Sequence, residues 1–192
     1  MTRTISRLLT GIALTATLLF AGCHGDDFSS VDLTGQATFP PQFRTALGEL
    51  VPVANSLFQV IDLSRGPNDN VVGVGVTDAN GNYAVTVPAT FSAAVVVLGD
   101  VRVSGLVDPR KGSVSKDFSG VTDLACEAGV TAVFDGSINA FDMNGGRIAV
   151  LEQTAAQVAA VTAIDYTDSD GSRTAAVQLI RQLTDDGAHL PE

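Results

Sequence analysis

From residue 35 to about residue 106, the apolar positions of this chain recur every second residue. Val72, Val74 and Val76 alternate with Gly73 and Gly75, and Tyr83, Val85 and Val87 alternate with Ala84 and Thr86. Successive side chains of a strand point to opposite faces, so this period predicts β-strands rather than helices. Further strands are predicted over 36–39, 57–63, 94–98 and 101–106. Pro40-Pro41, Gly66-Pro67-Asn68-Asp69-Asn70 and Gly99-Asp100 separate them. Asp78-Ala79-Asn80-Gly81-Asn82 predicts a tight hairpin, because Asn-Gly accepts positive φ at little cost. Short strands at this spacing point to an antiparallel sandwich.

After about Ser119 the period becomes helical. Asn144 is placed to cap a helix whose Ile148, Leu151, Ala155 and Val158 fall on one stripe, ending near Val161. Ala155, Ala156, Ala159 and Ala160 suit close packing between helices. A second helix is predicted around Ala176, Leu179, Ile180 and Leu183, opened by Asp168, Ser169 or Asp170 and closed before Gly187. A shorter one is predicted over 122–134, ending before Gly136. The expected fold class is α+β: an antiparallel β-sandwich over 34–107, transthyretin-like or immunoglobulin-like, followed by a small helical region over 119–192.

The first 23 residues follow another pattern. Arg3 and Arg7 precede an apolar run from Leu8 to Phe20, and Ala21-Gly22-Cys23 follows. A basic cap, about a dozen apolar residues and a small-residue end describe a secretory signal, too short for a stable membrane span. Small residues directly before Cys23 resemble a bacterial lipobox, which implies a diacylglyceryl-modified Cys23 as the mature N-terminus and a signal peptide over 1–22. Phe20 stands where such motifs more often carry Leu, so ordinary secretory cleavage and an uncleaved anchor remain alternatives. Each buried methylene adds about 0.8 kcal/mol, and two or more chains hold stably where one is marginal. His24, rather than Asp, follows the cysteine, which resembles sorting to the outer membrane. Residues 23–33, rich in Gly, Asp and Ser, are expected to form a polar tether.

Composition fits an exported, folded body. Apolar residues make up 45% and charged residues 17%, which argues against disorder. Beyond residue 22 there are nine Lys and Arg against 21 Asp and Glu, a net charge of −12. That sign disfavours nucleic acid and anionic lipid headgroups as partners. Only two cysteines occur, Cys23 and Cys126. With Cys23 lipidated, Cys126 stands alone between Asp123 and Glu127. A reactive thiol needs an electropositive neighbourhood, so Cys126 reads as a small core residue. A Cys23–Cys126 disulfide is the alternative if lipidation fails.

Leu50-Val51-Pro52-Val53-Ala54, the strand ending at Leu63, and Val76-Thr77-Asp78-Ala79-Asn80-Gly81-Asn82-Tyr83-Ala84-Val85-Thr86-Val87-Pro88 together resemble the carboxypeptidase regulatory-like family. The resemblance spans about 35–106. It implies a small transthyretin-like sandwich, similar to the Cna B-type modules of bacterial surface proteins. The chain departs from that family's Gly-x-Pro-Val start, having Glu49-Leu50-Val51-Pro52-Val53 there. The family's domain lies outside the catalytic zinc domain of the carboxypeptidases that carry it, so the resemblance transfers no catalytic residue. As a whole the chain also resembles bacterial lipoproteins that join such a sandwich to a helical segment.

Candidate chemistry is sparse. The two histidines are His24, beside the anchor, and His189, near the end, so neither a Ser-His-Asp site nor a His-based zinc site is expected. Asp165-Tyr166-Thr167-Asp168-Ser169-Asp170-Gly171 has the look of a calcium loop, but aligning Gly171 puts Tyr166 and Val177 at two principal ligand positions. These acids read instead as a helix start. No spacing singles out a carboxylate pair for glycoside hydrolysis. With no Trp, and with Tyr83, Phe39, Phe43, Phe58 and Phe91 expected in the core, aromatic stacking on sugars has little to use.

The sequence therefore predicts a lipid-anchored, non-enzymatic envelope protein, with no metal, no cofactor and no catalytic residue. Its contact with the membrane is through Cys23, and its partner is an envelope protein or a glycan. A glycan- or peptide-binding module, using the exposed sheet or the loops around Asp108 to Lys116, is the alternative. An enzyme without recognisable motifs is the third reading.

Overall fold

In the computed structural model, residues 29–45, 48–66, 69–89, 93–99, 101–167 and 171–185 are described. Cys23, His24, Phe91, Asp168, Ser169, Asp170, Gly187 and His189 lie outside them.

The strands are β1 (Ser30–Gln36), β2 (Leu57–Asp62), β3 (Val71–Val76), β4 (Asn82–Pro88), β5 (Ala93–Leu98), β6 (Arg102–Val107) and β7 (Val114–Ser115). They form two sheets, one ordered β4-β1-β7 and the other β3-β2-β5-β6. The larger sheet is antiparallel throughout, whereas β7 joins β1 in parallel. Among the described residues three α-helices follow, α1 (Gly120–Phe134), α2 (Gly145–Val161) and α3 (Ser172–Asp185). The helices pack on one another, and α1 lies along β6. The fold is α+β.

Two apolar cores result. Leu33, Phe58, Val60, Tyr83, Val95 and Phe118 are among the residues filling the space between the sheets. Leu63, Ala94 and Leu106 join Leu124, Met143, Leu151 and Ile180 on the other side of the larger sheet, under the helices. That is why β5 reads Ala-Ala-Val-Val-Val-Leu without polar alternation: its inner face is buried between the sheets, and on its outer face Ala94 is buried under the helices and Val96 is half-buried.

Several expectations change. The tether predicted over 23–33 does not hold for its last residues, because β1 begins at Ser30 and buries Val31 and Leu33 against the opposite sheet; residues 23–28 lie outside the described residues. The strand predicted over 36–39 is the end of β1, followed by single bridges from Ala37 to Phe118 and Thr38 to Pro52. The Asp78–Asn82 turn forms, with the Gly81 amide donating to the Asp78 carbonyl at 3.0 Å. Its strands do not pair with each other, however: β3 pairs with β2 and β4 with β1. The segment is a corner between sheets rather than a hairpin.

The Val-Gly alternation of β3 explains the corner. A Cβ on Gly73 would stand 2.7 Å from Val87, and one on Gly75 would stand 2.5 Å from the Phe58 ring. The glycines face inward and admit those side chains, and Val74 and Val76 face solvent at 58% and 62% exposure. Among the aromatic residues, Phe58 and Tyr83 are buried as expected, and Phe39 and Phe43 are half-buried against each other at 5.7 Å. In the helices, Ala156, Ala160, Leu179 and Leu183 are exposed. Ala155 carries the close packing in α2, and Ala176, Val177 and Ile180 carry it in α3.

Candidate functional site

The strand registers set three rows across the outer face of the larger sheet. Arg102, Leu98, Leu57 and Val76 form one; Ser104, Val96, Gln59 and Val74 the next; Leu106, Ala94, Ile61 and Val71 the third. Because α1 covers only the β6 side, a cleft opens between its flank and the β5–β2 part of these rows. Its cavity is about 300 Å³. Ile61, Leu63, Ala94 and Val96 form the sheet wall, with Val130 and Phe134 on the helix. Phe134 stands 63% exposed.

One end of the cleft is charged. Asp123 is 2% exposed and accepts hydrogen bonds from the Ser104 hydroxyl at 2.6 Å and the Arg173 guanidinium at 2.7 Å. Arg102 donates to Glu127 at 3.1 Å and lies 3.9 Å from Asp123. Arg173 also pairs with Glu127. Two cations and two anions thus close a quartet joining β6, α1 and α3. Both Asp123 oxygens are engaged, so the carboxylate acts as an acceptor for Arg173 rather than as a base for Ser104. Within the quartet, the Arg173 Nε is buried without a hydrogen-bond partner.

Cys126 lies on the cleft's floor as a buried free thiol. Burial pushes it up to about 12, opposed by the Ser104 hydrogen bond and raised further by Asp123. A thiol so placed is neutral at ordinary pH and a poor nucleophile, as its acidic neighbours in the sequence implied. The quartet and cleft escaped sequence reasoning. Their members are scattered from Ile61 to Arg173, and the only local signal was a buried-type position, Asp123, inside an apolar helix.

The loops around Asp108 to Lys116 are tied to the helices. The Asp108 carboxylate accepts from Arg110 Nε at 2.7 Å and from the Gly145 amide at 2.9 Å, at the start of α2. Burial pushes Asp108 up, but the bonds from Arg110 and Gly145 outweigh it and hold the carboxyl below its usual range. Lys116 pairs with Glu152 of α2. A second groove, about 450 Å³, runs between Val114, Lys116, Ile148 and Glu152. Around the acidic loop, Asp165 accepts from the Thr167 hydroxyl and amide and from Gln42. Among the described residues no group of three or more His, Cys, Asp or Glu side chains gathers as metal ligands would.

No family model matches the sequence, and no curated protein matches it. Part of the chain is similar to the shaft pilin SpaA of Lactobacillus rhamnosus GG, at 10% identity over 47% of this chain and 50% of the pilin, with a TM-score of 0.33. The chain thus spans about half the pilin's length. A 9R-lipoxygenase from Cyanothece PCC8801 overlaps it at 18% identity, over 47% of this chain and 16% of the enzyme, with a TM-score of 0.29. These overlaps are too loose for either protein's role to transfer.

Proposed function

We propose that the protein is a lipid-anchored component of the bacterial cell envelope, sorted to the outer membrane, with a non-catalytic structural or interaction role. The observation that carries this reading is the Cys23 thiol, set directly after Phe20-Ala21-Gly22 at the end of a basic-then-apolar leader. The folded body supports it. No helix among the described residues is long and apolar enough to cross a membrane. An acidic surface suits a domain held off anionic lipid.

Membership of the carboxypeptidase regulatory-like family belongs to the same proposal. Its support is the Thr77-Asp78 to Tyr83 motif, whose residues build the turn between the sheets and seat Tyr83 in the core. With β1 starting at Ser30, only six residues separate it from Cys23, a reach of at most about 25 Å whatever their path. The end of the sandwich holding Ser30 and its partner Pro88 would then face the membrane, with the Asp78–Asn82 corner pointing away.

Metabolic labelling with a palmitate analogue tests the anchor. The wild type should carry the label and partition with membranes, and Cys23→Ala should lose the label and be released. An unlabelled mutant that stays in the membrane, or mass spectrometry showing an unmodified Cys23 in the mature protein, overturns the proposal.

A further inference from the structure

The geometry points to the cleft between α1 and the outer sheet face as a binding site for an uncharged aliphatic small molecule carrying one amide or hydroxyl group. Its volume, about 300 Å³, is at the lower end of the range for small-molecule pockets. Between its polar ends the walls are apolar, with Val96 and Ala94 on the sheet and Val130 and Phe134 on the helix.

Charge selects the ligand further. Arg102, Arg173, Asp123 and Glu127 are engaged with one another at one end, so none is left as counter-ion for a carboxylate or an ammonium elsewhere in the cleft, and either would bring an uncompensated charge into a partly dry site. Polar capacity remains at the other end. Thr131 lies one turn beyond Glu127 on α1, and Asn70 lies beside the Ile61 row, two rows from Arg102. Both line the cleft, and neither side chain has a hydrogen-bond partner among the described residues. An amide or hydroxyl end would meet Asn70 and Thr131 while the alkyl part runs toward Val96. The exposed ring of Phe134 would be covered by it. This proposal does not rest on the lipid anchor, and failure of either leaves the other standing.

Titration calorimetry of the full chain with straight-chain primary amides tests it, with octanamide compared against octanoate and octylamine. Affinity should rise about fourfold for each methylene added until the cleft is full, then stop rising. Octanoate and octylamine should bind at least about tenfold more weakly. Val96→Phe fills the sheet wall and should abolish octanamide binding, as should Thr131→Phe from the helix wall, which serves if the first variant fails to fold. Val76→Phe, on the same sheet face but outside the cleft, should leave the affinity unchanged. Equal binding of octanoate, an unbroken rise with chain length, or undiminished binding by a folded Val96→Phe or Thr131→Phe protein overturns the assignment.

Discussion

The ring of Phe118 occupies the space that a side chain on Gly105 would need: a Cβ there would lie 2.2 Å from a ring carbon. Gly105 is on the inward face of β6, between Val103 and Val107. Phe118 reaches it from the segment leading into α1 and stacks on Tyr83 at 5.1 Å and 10°. Tyr83 in turn meets Phe58 edge-on at 5.7 Å. This aromatic file ties the approach to the helices into the sandwich core. Gly105→Ala should therefore cost about 1–3 kcal/mol through overpacking, and Phe118→Ala about 3–5 kcal/mol through the cavity it leaves. Combined with Phe118→Leu, Gly105→Ala should cost less than it does alone. Urea unfolding of the four proteins in this cycle measures the coupling, and strict additivity would show that the two positions do not compete for space.

The pairing of Asp123 with Arg173 makes a second, independent claim. Burying an ion pair is weak evidence of net stabilisation, because desolvation offsets the attraction. Removing one partner is different. Asp123→Ala takes the buried partner from the guanidinium of Arg173, whose side chain is only 10% exposed, leaves it Glu127 alone, and should cost about 1–3 kcal/mol. Replacing both residues with apolar ones, as in Asp123→Leu with Arg173→Met, should cost much less than the single change. Denaturant midpoints give the comparison; a double variant as unstable as the sum of its parts would refute it.

What the sequence made legible was local. In α2 the Asn144 side chain accepts from the Arg147 amide, and Ile148, Leu151, Ala155 and Val158 are the buried residues, all as the helical period indicated. A one-sided helix writes its packing into its own spacing. The strand centres were readable for the same reason. The strand β1 was not, since Val31 and Leu33 are two apolar positions in a polar stretch, and the partner that gives them meaning is β4, more than fifty residues away. Asn80-Gly81 predicts a turn, which forms, and a hairpin, which does not, since β3 and β4 lie in different sheets. Turn chemistry concerns five residues, whereas the choice of sheet depends on Gly73 and Gly75 making room for Val87 and Phe58. The cleft was illegible altogether, because its walls come from β2, β5, β6 and α1.

Cys126 gives the fold a dependence on alkaline pH. Burial raises the thiol from its ordinary 9.0 to about 12, so the folded protein keeps a proton that the unfolded chain releases. The resulting stabilisation is fully present below pH 9 and is lost as pH climbs from 9 toward 12, at a slope of up to about 1.4 kcal/mol per pH unit. Tyr83, which burial also raises, adds to the loss only above its ordinary value near 10. Between pH 9 and 10, Cys126→Ala should therefore flatten the decline in unfolding free energy. Iodoacetamide at pH 8 should modify wild-type Cys126 only as fast as the protein opens. Rapid modification of the native state would contradict the burial.

The strand β1 is an integral part of the folded unit. Val31 and Leu33 project into the space between the sheets, Leu33 with no exposed surface, and the backbone from Ser30 to Gln36 pairs with β4. Burying such side chains contributes about 1.5–3 kcal/mol each, and the smaller sheet would lose its middle strand with them. That is a large share of the roughly 5–15 kcal/mol by which domains are stable. A chain starting at Ser29 should thus unfold at the same urea concentration as one starting at His24, because it keeps all of β1 and the Ser29 carbonyl to which the Ala89 amide donates. A chain starting at Thr34 should be unfolded or nearly so by circular dichroism. If the Thr34 chain keeps the full midpoint, Val31 and Leu33 contribute nothing to the core.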